Sequence, residues 1–463
     1  MNKSLFSLFL LLCTITTFAQ LPRLKVSDNG RFLQTEEGKP FFWTGDTAWE
    51  LFHKLDKEQA AYYLETRAKQ GFNVIQAVGL AELDGLNTPN AYGYKPLDKT
   101  DPVKINVQYF NHVAWVMQKA DSLGIYVAFL PTWGDKLFKD SWGDGPEIFD
   151  QEKAYQFGKS LALRLRSQSN IIWVLGGDRL PREGSEDVEV WRSMAKGIKE
   201  GLGLFVDGIF SFHPQPTSPG GSSNWFHKDE WLSFNMHQTG HCPGQSYQKI
   251  AHDYQLTPVK PTIDGEPLYE DHPYCFDAKH KGYSVPDDIR RIMYWNVFAG
   301  AFGQTYGCHD VWQMHRVEDK GVNGPLRPWD VALNLPMANQ MKHLKHLMLS
   351  RPFFDRIPDQ TLIESEQKDD ETYAIGTRDE SGTYAFVYVP TGKTININTK
   401  ELRGQVLNVW WYDPRTGATF MLGQTQNFGS FSAVCPSSGS GNDWILVVDD
   451  ASKGYEKPGT VAY

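Results

Sequence analysis

From residue 40 onward the chain alternates short apolar runs with longer amphipathic stretches. Eight runs recur: 41–46 (FFWTGD), 72–78 (FNVIQAV), 125–133 (IYVAFLPTW), 171–178 (IIWVLGGD), 208–214 (GIFSFHP), 232–237 (LSFNMH), 261–267 (PTIDGEP) and, least clearly, 303–310 (GQTYGCHD). Between the first two, Leu55, Ala60, Leu64 and Ala68 follow helical spacing, with Asp56 as N-cap and Gly71 as terminator. The clearest runs are apolar at every position rather than every second one. Such strands are buried on both faces, as in a parallel sheet. Eight strand–helix units predict an α/β fold, a (β/α)8 TIM-like barrel. The competing open doubly wound sheet would want a Gly-rich nucleotide loop after its first strand, and none follows.

After Arg351-Pro352 the pattern changes. From 361 on, helical spacing gives way to alternating runs: 372–377, 383–390, 394–398, 406–414, 418–422 and 443–449. Gly, Pro and Asp separate them at roughly 10-residue spacing, the mark of a small antiparallel β-sandwich. The expected division is a barrel over 20–350 and a sandwich over 351–463. The connection is short and lacks linker composition, so the sandwich is expected to pack on the barrel. Residues 1–19 read as a leader: Lys3, the apolar run 5–12, and Thr17-Phe18-Ala19 before a cut that leaves Gln20 first. Leu12 before Cys13 does not suit a lipid-attachment box. The apolar run is too short to span a bilayer. Export follows as an expectation, to the periplasm or the medium, with no membrane span.

Composition narrows the function. Among 463 residues, 46 Lys+Arg face 55 Asp+Glu, a formal charge of −9. This excess of acid argues against a nucleic-acid partner. Aromatic residues reach 13%, which suits a large core and not a disordered chain. Without Cys13, four cysteines remain: Cys242, Cys275, Cys308 and Cys435. They are too sparse for a disulfide scaffold, and free buried thiols are the expectation. His237, His241 and Cys242 have a spacing that could suit a metal, but no second paired motif follows and none is expected.

In such barrels the chemistry sits where the strands end. The strand-end residues are Asp46, Gln76, Trp133, Asp135, Asp178, His213, His237, Glu266, His309 and Asp310. Asp178 and Glu266 stand out: each follows a glycine that allows close approach, and they end the fourth and seventh strands, across the mouth from each other. Glycosidic cleavage needs two carboxylates, one protonated for the leaving oxygen and one to attack or to activate water. Trp133 and Trp225 offer flat faces for sugar rings. Asp46, Asp135, His213, His237 and His309 complete the expected substrate-binding set, the histidines holding hydroxyls or orienting carboxylates. Two carboxylates suffice, so no cofactor is implied.

Phe42-WTGDTAWELFHKL with Gly71-FNVIQAV resembles the start of the apiosidase-like barrel domain of glycoside hydrolase family 140. Asn170-IIWVLGGD and Ile263-DGEP fit the same pattern. Val409-WWYDPRTGA is similar to the small β domain with a collagen-binding label that accompanies it. The resemblance spans the mature chain and implies a β-apiosidase activity on rhamnogalacturonan II, a pectin, with Asp178 as acid/base and Glu266 as nucleophile. Gly177-Asp178 stands where related barrels carry Asn-Glu. A polysaccharide or oligosaccharide is the implied partner. Two alternatives stay open: a barrel glycosidase on an arabinofuranoside, glucan or mannan, and a carbohydrate- or collagen-binding protein with a degenerate barrel.

Overall fold

The computed structural model describes residues 20–461; the leader and the cut after Ala19 lie outside the described residues. Eight parallel strands run in barrel order: β1 (Trp43–Thr47), β2 (Val74–Leu80), β3 (Tyr126–Thr132), β4 (Ile171–Gly176), β5 (Ile209–His213), β6 (Asn235–Gln238), β7 (Thr262–Glu266) and β8 (Gly303–Tyr306). Each coincides with one of the eight apolar runs. They are hydrogen-bonded as β8-β1-β2-β3-β4-β5 and β6-β7. Two looser seams join these sets. Ser233 N donates to Phe210 O between β5 and β6 (2.9 Å), and Phe302 N to Thr262 O between β7 and β8 (3.1 Å). Every residue of all eight strands is buried, which is why the clearest of them, such as β3 and β4, read as nearly unbroken apolar runs.

The helices α1 (Lys57–Lys69), α2 (Val107–Ser122), α3 (Gln151–Leu165), α4 (Asp187–Leu202), α5 (Ser246–Tyr254), α6 (Pro286–Phe298) and α7 (Pro336–Met348) cover the barrel. Asp56 caps α1 in a reciprocal box with Gln59, as its place before the apolar stripe predicts. After β5 the chain makes only the short turn of helix Ser223–Phe226. Among the described residues no helix is long and apolar enough to cross a membrane.

The C-terminal strands are β9 (Arg356–Pro358), β10 (Ile375–Asp379), β11 (Tyr384–Val389), β12 (Ile395–Asn398), β13 (Val406–Tyr412), β14 (Thr419–Gln426), β15 (Ser430–Ala433) and β16 (Trp444–Asp450). They form a six-stranded antiparallel sheet, β9-β10-β11-β16-β13-β14, and a two-stranded one, β12-β15. The pattern missed β9, which is three residues long, and β15, whose SFSA carries one large apolar side chain. Strand β11 shows how the layers stack. Ala385, Val387 and Val389 face the core shared with the two-stranded sheet. Tyr384, Phe386 and Tyr388 join the barrel core instead. A strand covered on both sides loses its polar alternation, as TYAFVYV does.

The seam between barrel and sheet is well built. Arg290 on α6 forks onto Asp443 (2.6 and 2.7 Å), and Tyr388 donates to the same carboxylate (3.0 Å). Arg351 forks onto Asp449 (2.8 and 2.7 Å). Tyr294 stacks on Tyr388 at 5.0 Å. The cysteines depart from expectation. Cys242 and Cys275 form a disulfide, because the loops after β6 and β7 bring together residues 33 apart in sequence; Cys308 and Cys435 are free and buried.

A buried charge that loses its partner costs about 3–5 kcal/mol. Asp443→Ala is therefore expected to destabilise the whole chain by that order. Because the apolar core runs through both layers, tryptophan fluorescence and far-UV circular dichroism are expected to report one coincident urea transition. Two resolved transitions would refute the shared core.

Candidate active site

Local backbone geometry aims the two carboxylates. At the end of β4, Gly176, Gly177 and Asp178 have φ of 88°, 118° and 51°, three consecutive left-handed residues that fold the chain back over the mouth. A Cβ on Gly176 would lie 2.4 Å from His213 O, and one on Gly177 2.8 Å from Gly134 N, so only glycine fits either place. On β7 the register slips between Asp264 and Glu266, leaving Gly265 as an extra residue. Without that bulge, residues two apart would share a face. Asp264 instead turns outward to Thr239 Oγ1 (2.6 Å) and Asn296 Nδ2 (3.0 Å), while Glu266 turns into the mouth. Gln76 Nε2 pins the bulge by donating to Gly265 O (2.7 Å).

The environments of the two carboxylates differ sharply. His213 Nε2 lies 3.0 Å from Glu266 Oε2, and His241 Nε2 lies 3.3 Å from Oε1. Burial pushes the Glu266 carboxyl up, but the two imidazoles outweigh it and hold it well below the usual carboxylate range. Burial, and then the Glu266 charge, lift Asp178 to about 6, against which His213 and Arg179 pull down. One group is thus ionised and its neighbour protonated in mildly acidic water. The Asp178 backbone N–H donates to His213 Nδ1 (3.4 Å). An acceptor at Nδ1 leaves an N–H at Nε2, the ring nitrogen that faces Glu266.

The other expected site residues separate into groups. His213 lies between the Glu266 carboxylate and the Asp178 backbone N–H, and Trp133 packs beside it (5.8 Å) and Trp49 (5.1 Å), both tryptophans buried. His309 meets His272 edge-on at 4.4 Å, and burial with the nearby His241 lowers its pKa to about 4. Four residues serve the scaffold. Asp46 points outward to Arg67 (2.6 Å) and Tyr63, since Trp43, Gly45 and Thr47 take the inward positions of β1. Asp135 clasps Lys136 and the N–H groups of Asp144 and Gly145. His237 pairs with Asp253 of α5 at 2.9 Å. Trp225 packs behind β5 against Phe212 (6.5 Å), on the strand's helix side. The residues with metal-like spacing are thus used apart: His237 on Asp253, His241 on Glu266, Cys242 on Cys275.

Two site residues escaped the strand-end reasoning. The second apolar run ends at Val78, but the strand continues to Leu80, and the residue delivered to the mouth is Glu82 rather than Gln76. Desolvation and the charges of Asp178, Asp135, Glu50 and Glu266 raise its pKa well above normal. His241 was legible only as a possible metal ligand, because its partner Glu266 comes from another loop.

With this geometry in view, similarity to known proteins is informative. A model of the "Apiosidase-like, catalytic domain" matches residues 27–355. The chain belongs to the apiosidase-like family. A second model, "Putative collagen-binding domain of a collagenase", matches residues 357–449. One solved structure, described as "Glycoside hydrolase", is 33% identical, with 93% of this chain and 97% of that one covered and a TM-score of 0.84. A glycoside hydrolase family 5 protein from Bacteroides vulgatus ATCC 8482 is 32% identical, with 95% and 96% covered and a TM-score of 0.85. A third structure, from the same organism, shares the fold at 15% identity and a TM-score of 0.68, with 93% and 82% covered. No curated protein matches. This apiosidase-like chain is a glycoside hydrolase, and its substrate is a carbohydrate.

Since Asp46 is the fully buried partner of Arg67, Asp46→Ala is expected to cost about 3–5 kcal/mol of stability, with little change in KM at temperatures where the variant is folded. A rise in KM without loss of stability, measured by urea titration and steady-state kinetics, would return Asp46 to the binding site.

Proposed function

We propose that this apiosidase-like enzyme is a retaining glycosidase in which Glu266 is the nucleophile and Asp178 the acid/base, and that it releases apiose from pectin side chains of the rhamnogalacturonan II type. The observation that carries the mechanism is the opposed state of the two carboxyl groups, one kept ionised by His213 and His241 and the other raised to about 6. Glu266 attacks the anomeric carbon while Asp178 gives its proton to the leaving oxygen, and a glycosyl ester forms on Glu266. Esterification removes the Glu266 charge. That charge is the second-largest cause of the raised Asp178 pKa, so Asp178, its proton already given to the leaving oxygen, stays ionised and is free to take a proton from the water that cleaves the ester. The sugar assignment rests on family membership over residues 27–355. Export rests on the leader-like residues 1–19 alone.

The sign of the pH dependence follows. The acid must be protonated, so kcat/KM is expected to fall as pH rises through about 6, and the acid limb to lie below the ordinary carboxylate range. Asp178→Asn is expected to abolish the basic limb. It should cost about 10²–10⁴-fold on natural glycosides and much less on an aryl glycoside, whose leaving group needs no proton. Equal losses on both substrates would remove Asp178 from the role. Glu266→Gln is expected to lose activity on both, and proton NMR of the first-formed anomer decides retention.

Digestion of rhamnogalacturonan II tests the substrate. Release of apiose by the wild type and not by Glu266→Gln is the expected outcome. Release instead of arabinose, glucose or mannose from arabinan, glucan or mannan would move the assignment to another linkage.

A further inference from the structure

The loop 239–245, between β6 and α5, carries His241 and has no regular structure of its own. It is fastened near its start where Thr239 N and Gly240 N donate to Glu266 O (3.1 and 3.4 Å). Beyond that point His241 has two tethers, both from the loop after β7. Cys275 N donates to His241 O (2.8 Å), and the disulfide joins Cys275 to Cys242, the residue next to His241. Cys242 is exposed at the rim, whereas His241 beside it is buried.

The second loop shows signs of being held. Cys275 and Phe276 have φ of 53° and 62°, a left-handed pair in which neither residue is glycine. Such residues persist only where surrounding structure over-determines them. The turn brings the Phe276 ring edge-on to His241 (5.6 Å) and His272 (5.0 Å), and His272 stacks on His241 at 4.0 Å. Tyr269 closes the other side at 4.6 Å. His241 Nδ1 makes no hydrogen bond, so packing and the two tethers orient the ring rather than a polar partner behind it.

We propose that the Cys242–Cys275 disulfide is part of the catalytic apparatus as a positioning device, holding the His241 imidazole against the carboxylate of Glu266. The inference rests on Glu266 being the nucleophile. Cutting the staple frees the loop, and among the described residues Glu266 then keeps His213 as its one close cationic or N–H partner. The other titratable groups facing it are Asp178 and Glu82, both raised and so protonated where Glu266 titrates, with Tyr269 and His272 alongside. Losing His241 therefore makes the carboxylate easier to protonate.

The test is a cycle built from the full chain, Cys242→Ser/Cys275→Ser, His241→Ala, and the two combined, read below the melting temperature of each. The first readout is the acid limb of kcat/KM on an aryl glycoside. The second is the titration of the Glu266 carboxyl carbon by carbon-13 NMR, with the signal assigned from Glu266→Gln. The expected result is that each change alone moves the acid limb and the carboxyl titration upward by about one pH unit, and that combining them moves neither further. His241→Gln, which keeps an N–H and leaves the disulfide intact, is expected to restore part of the shift. A cysteine variant that only melts earlier, with both titrations unmoved, overturns the proposal, as do shifts that simply add. The NMR arm needs no turnover. If Glu266→Gln retains activity, the nucleophile assignment fails while the carboxyl titration still decides what the disulfide does.

Discussion

A carboxylate buried at the mouth of the barrel and kept ionised is the constraint on which the site turns. Burial alone would protonate Glu266. Two imidazoles prevent this, one from β5 and one from the loop after β6. His213 is fixed through the Asp178 backbone N–H, so the group that charges Glu266 is held by the residue whose carboxyl Glu266 in turn perturbs. The two carboxyl groups are linked, the charge on Glu266 helping to keep the proton on Asp178.

Backbone departures from regularity make this arrangement possible. A regular β7 would send Glu266 to the helix side with Asp264. The bulge at Gly265 separates them, leaving Asp264 to Thr239 and Asn296. The three left-handed residues ending β4 do the equivalent work for Asp178. Each device has a glycine beside the carboxyl-bearing residue, where packing from His213, Gly134 or Met236 crowds any side chain. The barrel supplies rigidity; the irregular positions supply aim.

The C-terminal layers belong to the same mechanical body. Arg290, Arg351 and Arg356 reach the seam with every guanidinium buried and engaged, the last on the carbonyls of Val297 and Ala301 at the end of α6. The loop after β7 and helix α6 follow one another in the chain, so the seam and the mouth share a support.

The eight strands, the antiparallel strands after residue 351 and the position of Asp178 and Glu266 at strand ends were legible in the sequence, because each depends on local order: apolar runs mark buried strands, alternation and turn residues mark an antiparallel sheet, and glycines precede residues that must turn sharply. What the sequence could not say was where a strand-end side chain points and what it meets. Asp46 and His237 look like site residues and serve Arg67 and Asp253, since inward or outward facing depends on register across neighbouring strands. Glu82 was hidden because the strand runs on to Leu80, past the end of the apolar run. His241 and the Cys242–Cys275 pairing depend on two loops 33 residues apart meeting at one rim. Local chemistry along the chain determined the fold and the kind of residue at its mouth; contacts between distant loops decided which of those residues carry charge, because electrostatics in a desolvated site depends on separation in space and not in sequence.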